Sequence, residues 1–188
     1  MKEELFKALL LHVPFDGWSD SALRRASKDV EIDFRLAKEY FPDGLSMIDH
    51  HHRLTDLSMV VPTDGDTTSR VKAAILSRLD YVEKDRESVR RALHFVSLPQ
   101  HVYAATKMSY RSADAIWEAV GSQDVGFDWF TKRTTLIAVY GATLLFWLSQ
   151  AGNNRDQVEA FLDRQLVRLV SVMKPFGRAK TSIMRAFT

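Results

Sequence analysis

Residues 127–150 read FDWFTKRTTLIAVYGATLLFWLSQ, and from Leu136 through Leu148 no charge interrupts them. A bilayer span needs about 20 consecutive apolar residues, so this run is too short to cross a membrane. It suits the central helix of an all-helical domain, with neighbours on most of its sides. Hydrophobic residues make up 46% of the 188, which is enough for a sizeable core. The sequence has no cysteine, so disulfides, thiolate metal sites and cysteine nucleophiles are excluded. A net charge of +2 does not by itself direct the chain to nucleic acid.

Outward from that stretch, the apolar spacing is near 3.6 residues throughout and no strand pattern emerges. Leu5, Leu9, Leu10 and Val13 predict a first helix over about residues 3–13, closed by Pro14 and Gly17. Ser19 is a suitable N-cap for a second, with Trp18 and Leu23 spaced as a hydrophobic staple. Ile32, Leu36 and Tyr40 mark a third, opening near Glu31 and stopped at residues 41–44, where Gly44 permits the turn. The second and third helices form a helix-turn-helix. A fourth helix covers about residues 45–57, and residues 62–66, PTDGD, form the clearest loop. Beyond it, Ser69 is the expected cap of a helix striped by Val71, Ile75, Leu79 and Val82. Further stripes run through Val89, Leu93 and Val96, through Met108, Ile116 and Trp117, and through Val158, Leu162 and Leu166. Three parts follow: residues 1–60 as a helix-turn-helix unit, 66–173 as a larger helical unit, and 174–188 as a basic tail.

A helix-turn-helix invites a DNA-binding reading, and charge argues against it. Between Asp16 and Asp49 stand eight acids and five bases, a net −3. The reader helix would open on Glu31 and Asp33, facing the phosphates that dominate such binding. Nucleic acid is therefore not an expected partner.

The run from Asp49 to His52 contains three adjacent histidines. Helical residues turn about 100° apart, so the three cannot converge on one ion. Asp49 with Arg53, and His52 with Asp56, have helical pair spacing, the second being at most half a metal site. His51 shares a face with Met47 and Leu54 and reads as core. No GxSxG, phosphate loop or GxGxxG is present, so no catalytic residue, metal or cofactor is expected.

Aromatics crowd the second half. Most must be core. Met108, Trp117, Tyr140, Leu144 and Trp147 are candidates to line a pocket for an apolar ligand. Trp129 and Phe130, beside Lys132 and Arg133 at a helix start, are candidates for a partner surface. After Asp163 the sequence carries only bases among its charges. On a helix, Phe176, Ile183 and Phe187 fall near one face and Arg178 and Arg185 lie off it, as in an interfacial helix drawn to anionic lipid. Docking of that tail on its own domain or on a second copy fits the same pattern.

Leu98-Pro99, Trp117, Gly121 and the block from Phe127 to Arg133, followed by Leu136 and Tyr140, resemble the ninth coenzyme Q biosynthesis protein family. Pro14, Gly17-Trp18, Phe41, Asp43-Gly44 and Arg53-Leu54-Thr55 fit the same resemblance. It implies an all-α fold like the TetR regulators, usually homodimeric, with a pocket that holds a lipid. It further implies a non-enzymatic accessory protein that binds isoprenoid quinone intermediates and assists the di-iron hydroxylase acting on demethoxyubiquinone. The hydroxylase-facing patch would include Trp129 and Phe130. Family members have tyrosine at the latter position, and phenylalanine here lacks its hydroxyl. The counterpart of the family's amphipathic helix is residues 174–188. The start at Met1 without a transit peptide resembles a bacterial member, expected in the cytoplasm and peripheral on the inner face of the cell membrane.

Overall fold

The computed structural model describes residues 1–121, 127–150 and 154–168. Those residues form helices joined by short turns, with no strand among them. In chain order the helices are α1 (Lys2–Asp16), α2 (Asp20–Asp29), α3 (Phe34–Tyr40), α4 (Gly44–Leu57), α5 (Thr67–Tyr81), α6 (Arg86–Val96), α7 (Val102–Ala119), α8 (Phe127–Ser149) and α9 (155–168). Single 3-10 turns sit before α6 and before α7. Among the described residues no helix is long and apolar enough to cross a membrane.

The helix ends show the local chemistry. Ser19 accepts from the Ala22 amide at 3.3 Å and caps α2, as its position predicts. Trp18 and Leu23, the staple pair, are both buried in the same cluster. Asp33 caps α3, so Ile32 lies before the helix, and Glu31 stands in the preceding turn with φ 53°. Pro14 does not close α1. It occupies the last turn, and the helix runs on to Asp16, where Gly17 at φ 70° ends it with its amide on the Val13 carbonyl. Ser69 is not the cap of α5: Asp66 is, accepting from the Ser69 amide at 2.7 Å. Asp66 ends the expected loop, and its carboxylate, three residues before Ser69, reaches that residue's free amide.

Two buried clusters hold the helices. The first gathers α1–α4, with Leu5, Phe6, Leu9, Trp18, Leu23, Phe41, Met47 and Ile48 at its centre and Ala92 and Met108 at its edge. The second gathers α5–α9 around Ile75, Leu79, Ile116, Trp117, Leu136, Trp147 and Leu162. Trp18 ties them: it lies in the turn between α1 and α2 and donates its indole N–H to the Ser88 carbonyl of α6 at 2.9 Å. His51 is core, as its face predicts, with the rings of Trp18 and Phe6 at 5.6 and 6.2 Å.

Gly44 has a different role from the turn that the sequence suggests. It opens α4 directly after Asp43, whose side chain and Ser46 form a reciprocal capping box. A Cβ there would lie 2.5 Å from the Trp18 carbonyl oxygen and 2.9 Å from the Phe95 ring. Close approach of α4 to the Trp18 turn therefore demands glycine. Gly44→Ala is expected to destabilise by about 1–3 kcal/mol through overpacking. The urea midpoint checks this, and a midpoint at or above the parent's would show that the Trp18 carbonyl gives way freely.

Candidate functional site: an apolar cavity with a polar end

Between α6, α7 and α8 lies a cavity of about 130 Å³, with His52 of α4 at one end. Its origin is local. Along α7, Ala105, Ser109, Ser112 and Ala113 recur on one helical face, and α8 places Gly141 among Ile137, Tyr140 and Leu144. Small side chains on facing helices leave space that larger ones would fill. Nothing lies within 4 Å of where a Gly141 Cβ would stand. The walls are otherwise apolar: Leu93, Val96, Met108, Ile116 and Leu136.

Val96, Ala105, Ser109 and Ile137 also line a surface groove between α7 and α8, together with Val102, Thr106, Tyr110 and Thr134. Cavity and groove thus share a wall. Beside the groove, Tyr110 stacks on Phe130 with ring centres 6.2 Å apart, and the Tyr110 hydroxyl is 3.1 Å from the Thr134 hydroxyl. Phe130 is 52% exposed, and Val102 and Tyr103 are exposed as well.

The other end is polar. Arg78 of α5 is fully buried and pairs with Asp56 of α4. Its second terminal nitrogen donates to the Ser112 hydroxyl at 3.3 Å. That hydroxyl is also 3.5 Å from His52 Nδ1. The Tyr140 ring lies 5.0 Å from the guanidinium carbon. Arg111 of α7 bridges Asp56, at 3.4 Å from Nε, and Asp49, which pairs in turn with Arg53 at 2.8 Å. The Asp49–Arg53 pair is the one its spacing predicts. The His52–Asp56 pairing does not form: Asp56 serves the two arginines, and His52 turns to Ser112. Guanidiniums offer charge and several donors, which imidazole cannot match for a buried carboxylate. Burial, with Arg78 next, pushes the His52 pKa down to about 4, so the ring is neutral at pH 7. Burial takes His51 down to about 3. Among the described residues no group of histidine and carboxylate side chains is placed to hold a metal ion.

Of the residues that the sequence offers for a pocket, Met108, Tyr140 and Leu144 line the cavity together. Trp117 and Trp147 lie elsewhere. Trp117 is buried beneath the Lys132 ammonium, 5.3 Å from its ring centre. Trp147 donates its indole N–H to Glu83 at 2.6 Å and has Arg86 4.7 Å over its ring, fastening the α5–α6 turn to α8. Of the partner-surface candidates, Phe130 is exposed and Trp129 and Lys132 are half-buried. Arg133 turns inward: it is buried, pairs with Asp114, and stacks 4.1 Å from the Trp129 ring. Phe176, Arg178, Ile183, Arg185 and Phe187 lie outside the described residues. The sequence reading missed Arg78. Its signal was a cation on the apolar stripe of α5, four residues after Ala74 and next to Leu79.

The fold is that of the TetR regulators. The TetR transcriptional regulator from Nitrosomonas europaea superposes with a TM-score of 0.71 over 90% of this chain and 98% of that one, at 18% identity. Residues 102–173 match the COQ9 family model. The COQ9 match takes in α7, α8 and α9, and hence most of the cavity wall, whereas His52, Asp56 and Arg78 lie before it. Curated relatives extend the likeness across most of the chain. The mitochondrial ubiquinone biosynthesis protein COQ9 of Xenopus tropicalis is 23% identical over 88% of this chain and 56% of that protein. The human protein of the same name gives the same identity and coverage. The probable mitochondrial coq9 protein of Dictyostelium discoideum is 28% identical over 56% of this chain and 34% of its own length. The chain spans about half the length of the curated relatives it matches.

Proposed function

We propose that this protein is a non-catalytic, lipid-binding accessory protein of ubiquinone biosynthesis. In this reading it takes an isoprenoid quinone intermediate at an anionic membrane surface and presents it to the di-iron demethoxyubiquinone hydroxylase. The observation that carries the reading is the apolar cavity of α7 and α8, which shares a wall with a groove beside Phe130, in the segment that matches COQ9. The names of the curated relatives supply the pathway.

Size defines what must happen next. A cavity of about 130 Å³ is close to one known to hold a single benzene ring at about 150 Å³. A polyprenyl chain therefore requires the α7–α8 groove to part. Moving isoprene units from bilayer to an equally apolar channel is near neutral, because both remove the same area from water. The partner enzyme then supplies direction. Trp129 and Phe130 are the proposed hydroxylase contact, with Lys132 beside them and the buried Arg133 holding the Trp129 ring from behind. Residues 174–188 are the proposed membrane tether. Pairing with a second copy is part of the same reading.

The regulator reading receives less support. On α2 and α3, Lys38 pairs with Asp20, Arg25 pairs with Asp16, and Arg24 lies over the Phe34 ring. These cations are already engaged within the fold. Tight, sequence-specific and salt-sensitive gel shifts would overturn the choice.

Mass spectrometry of lipid extracted from purified protein is the direct test, with an isoprenoid lipid expected. Its absence from protein expressed in a ubiquinone-producing host would remove the reading's main support. Trp129→Ala is expected to weaken capture of the hydroxylase at least tenfold, about 1.4 kcal/mol or more, with little change in melting temperature. Equal loss of both would make Trp129 a packing residue.

A further inference from the structure

We propose that the polar end of the cavity is a head-group site that selects an uncharged acceptor oxygen, a carbonyl above all, on an otherwise apolar molecule. The inference rests on the reading that the cavity takes a lipid and adds what the ligand's head must be. The recognising groups are Ser112 and His52, which line the cavity, with Arg78 behind them.

Hydrogen-bond accounting gives the selection. A serine hydroxyl has one proton and two lone pairs. Arg78 takes one lone pair of Ser112 by donating to it. The His52 contact then allows two arrangements. If Ser112 donates to His52 Nδ1, the proton of the neutral ring is on Nε2, which becomes the free donor. If His52 Nδ1 donates to Ser112, both serine lone pairs are used and the serine proton is free. Each arrangement leaves the Ser112–His52 pair one unused donor, and Tyr140, whose hydroxyl accepts from Arg78, also lines the cavity, so the complementary ligand atom is an acceptor. A pure hydrocarbon leaves that donor unsatisfied, which is costly in an apolar enclosure.

Charge accounting gives the neutrality. Arg78 is paired with Asp56, and Arg111 with Asp49 and Asp56, before any ligand arrives, and neither arginine, with its unpartnered Nε or Nη2, is on the cavity lining. A carboxylate head would lose its hydration for cations that already have partners. The neutral state of His52 fits the same balance.

The experiment uses probes that match the cavity's size: acetophenone, isopropylbenzene and benzoate, titrated into the full chain and followed by ligand-observed NMR. Acetophenone is expected to weaken about tenfold in whichever of Ser112→Ala and His52→Phe removes the free donor, while isopropylbenzene changes by less than about twofold. Ser112→Thr, which keeps the hydroxyl, is expected to retain the parent's preference for acetophenone. Circular dichroism checks that each variant is folded. Equal effects on both neutral probes in both Ser112→Ala and His52→Phe would overturn head selection while leaving the apolar cavity in place. Benzoate binding more tightly than acetophenone would overturn neutrality. Failure of all three probes to bind the parent would remove the cavity reading, and the head site with it.

Discussion

Asp56→Ala is expected to destabilise the protein by about 3–5 kcal/mol, because it strands a buried cation. Arg78 has no exposed surface, and Asp56 is its paired carboxylate. Arg111 loses its 3.4 Å contact in the same step but keeps Asp49. The asymmetry is physical. A buried ion pair adds little net stability over an apolar pair, since desolvation offsets attraction, whereas a lone buried charge has no such offset. Asp56→Leu combined with Arg78→Met should therefore recover most of what Asp56→Ala loses. In a chain of this size the single change should lower the melting temperature by roughly 6–20 °C. Urea unfolding of the parent, the single variants and the double variant checks the cycle. A loss below about 1 kcal/mol in Asp56→Ala would mean that water or Arg78 itself relocates to restore the balance.

How much of this was legible in the sequence follows from the range of the forces involved. Helix positions were readable because they depend on neighbours within one or two turns: the stripe Val71, Ile75, Leu79, Val82 is buried as written. Caps were readable where one candidate stood alone, as at Ser19, and not where two competed, as at Asp66 and Ser69. Gly44 looks like turn chemistry until Trp18 and Phe95 are brought against it from elsewhere in the chain. The site shows the same division. Met108, Tyr140 and Leu144 were named on apolar character and reach the cavity. Trp117 and Trp147 share that character, but cation contacts and a distant glutamate hold them elsewhere. Arg78, Asp56 and Ser112 come from three helices, and no local period joins them.

Acid is expected to unfold the protein well before its carboxylates titrate in bulk, and the histidines of α4 are the reason. Burial, as the largest cause, takes His51 to about 3 and His52 to about 4, and lowers His50 as well. An unfolded histidine titrates near 6.5. As pH falls below that value the unfolded chain binds protons that the native state refuses. Stability therefore rises with pH across the window, is complete above about 6.5, and is lost progressively toward 4. Each histidine contributes about 1.4 kcal/mol per pH unit, so His51 and His52 together approach about 2–3 kcal/mol per unit. Domains carry only about 5–15 kcal/mol in total, so much of the stability should be gone by pH 4–5. Asp85 acts against this trend: burial raises its pKa, so the folded state takes up that proton first. Between pH 7 and 5 most carboxylates stay ionised, which isolates the histidines. Urea unfolding across that range should give the stated slope. His51→Leu should cut it by about half, since it keeps the position apolar between Phe6 and Trp18 and removes one proton site. It also removes the buried, unpartnered Nε2 of His51, so stability at pH 7 should hold or rise. A flat profile from pH 7 to 5 would mean that the histidines charge within the fold, and an unchanged slope in His51→Leu would assign the protons to other groups.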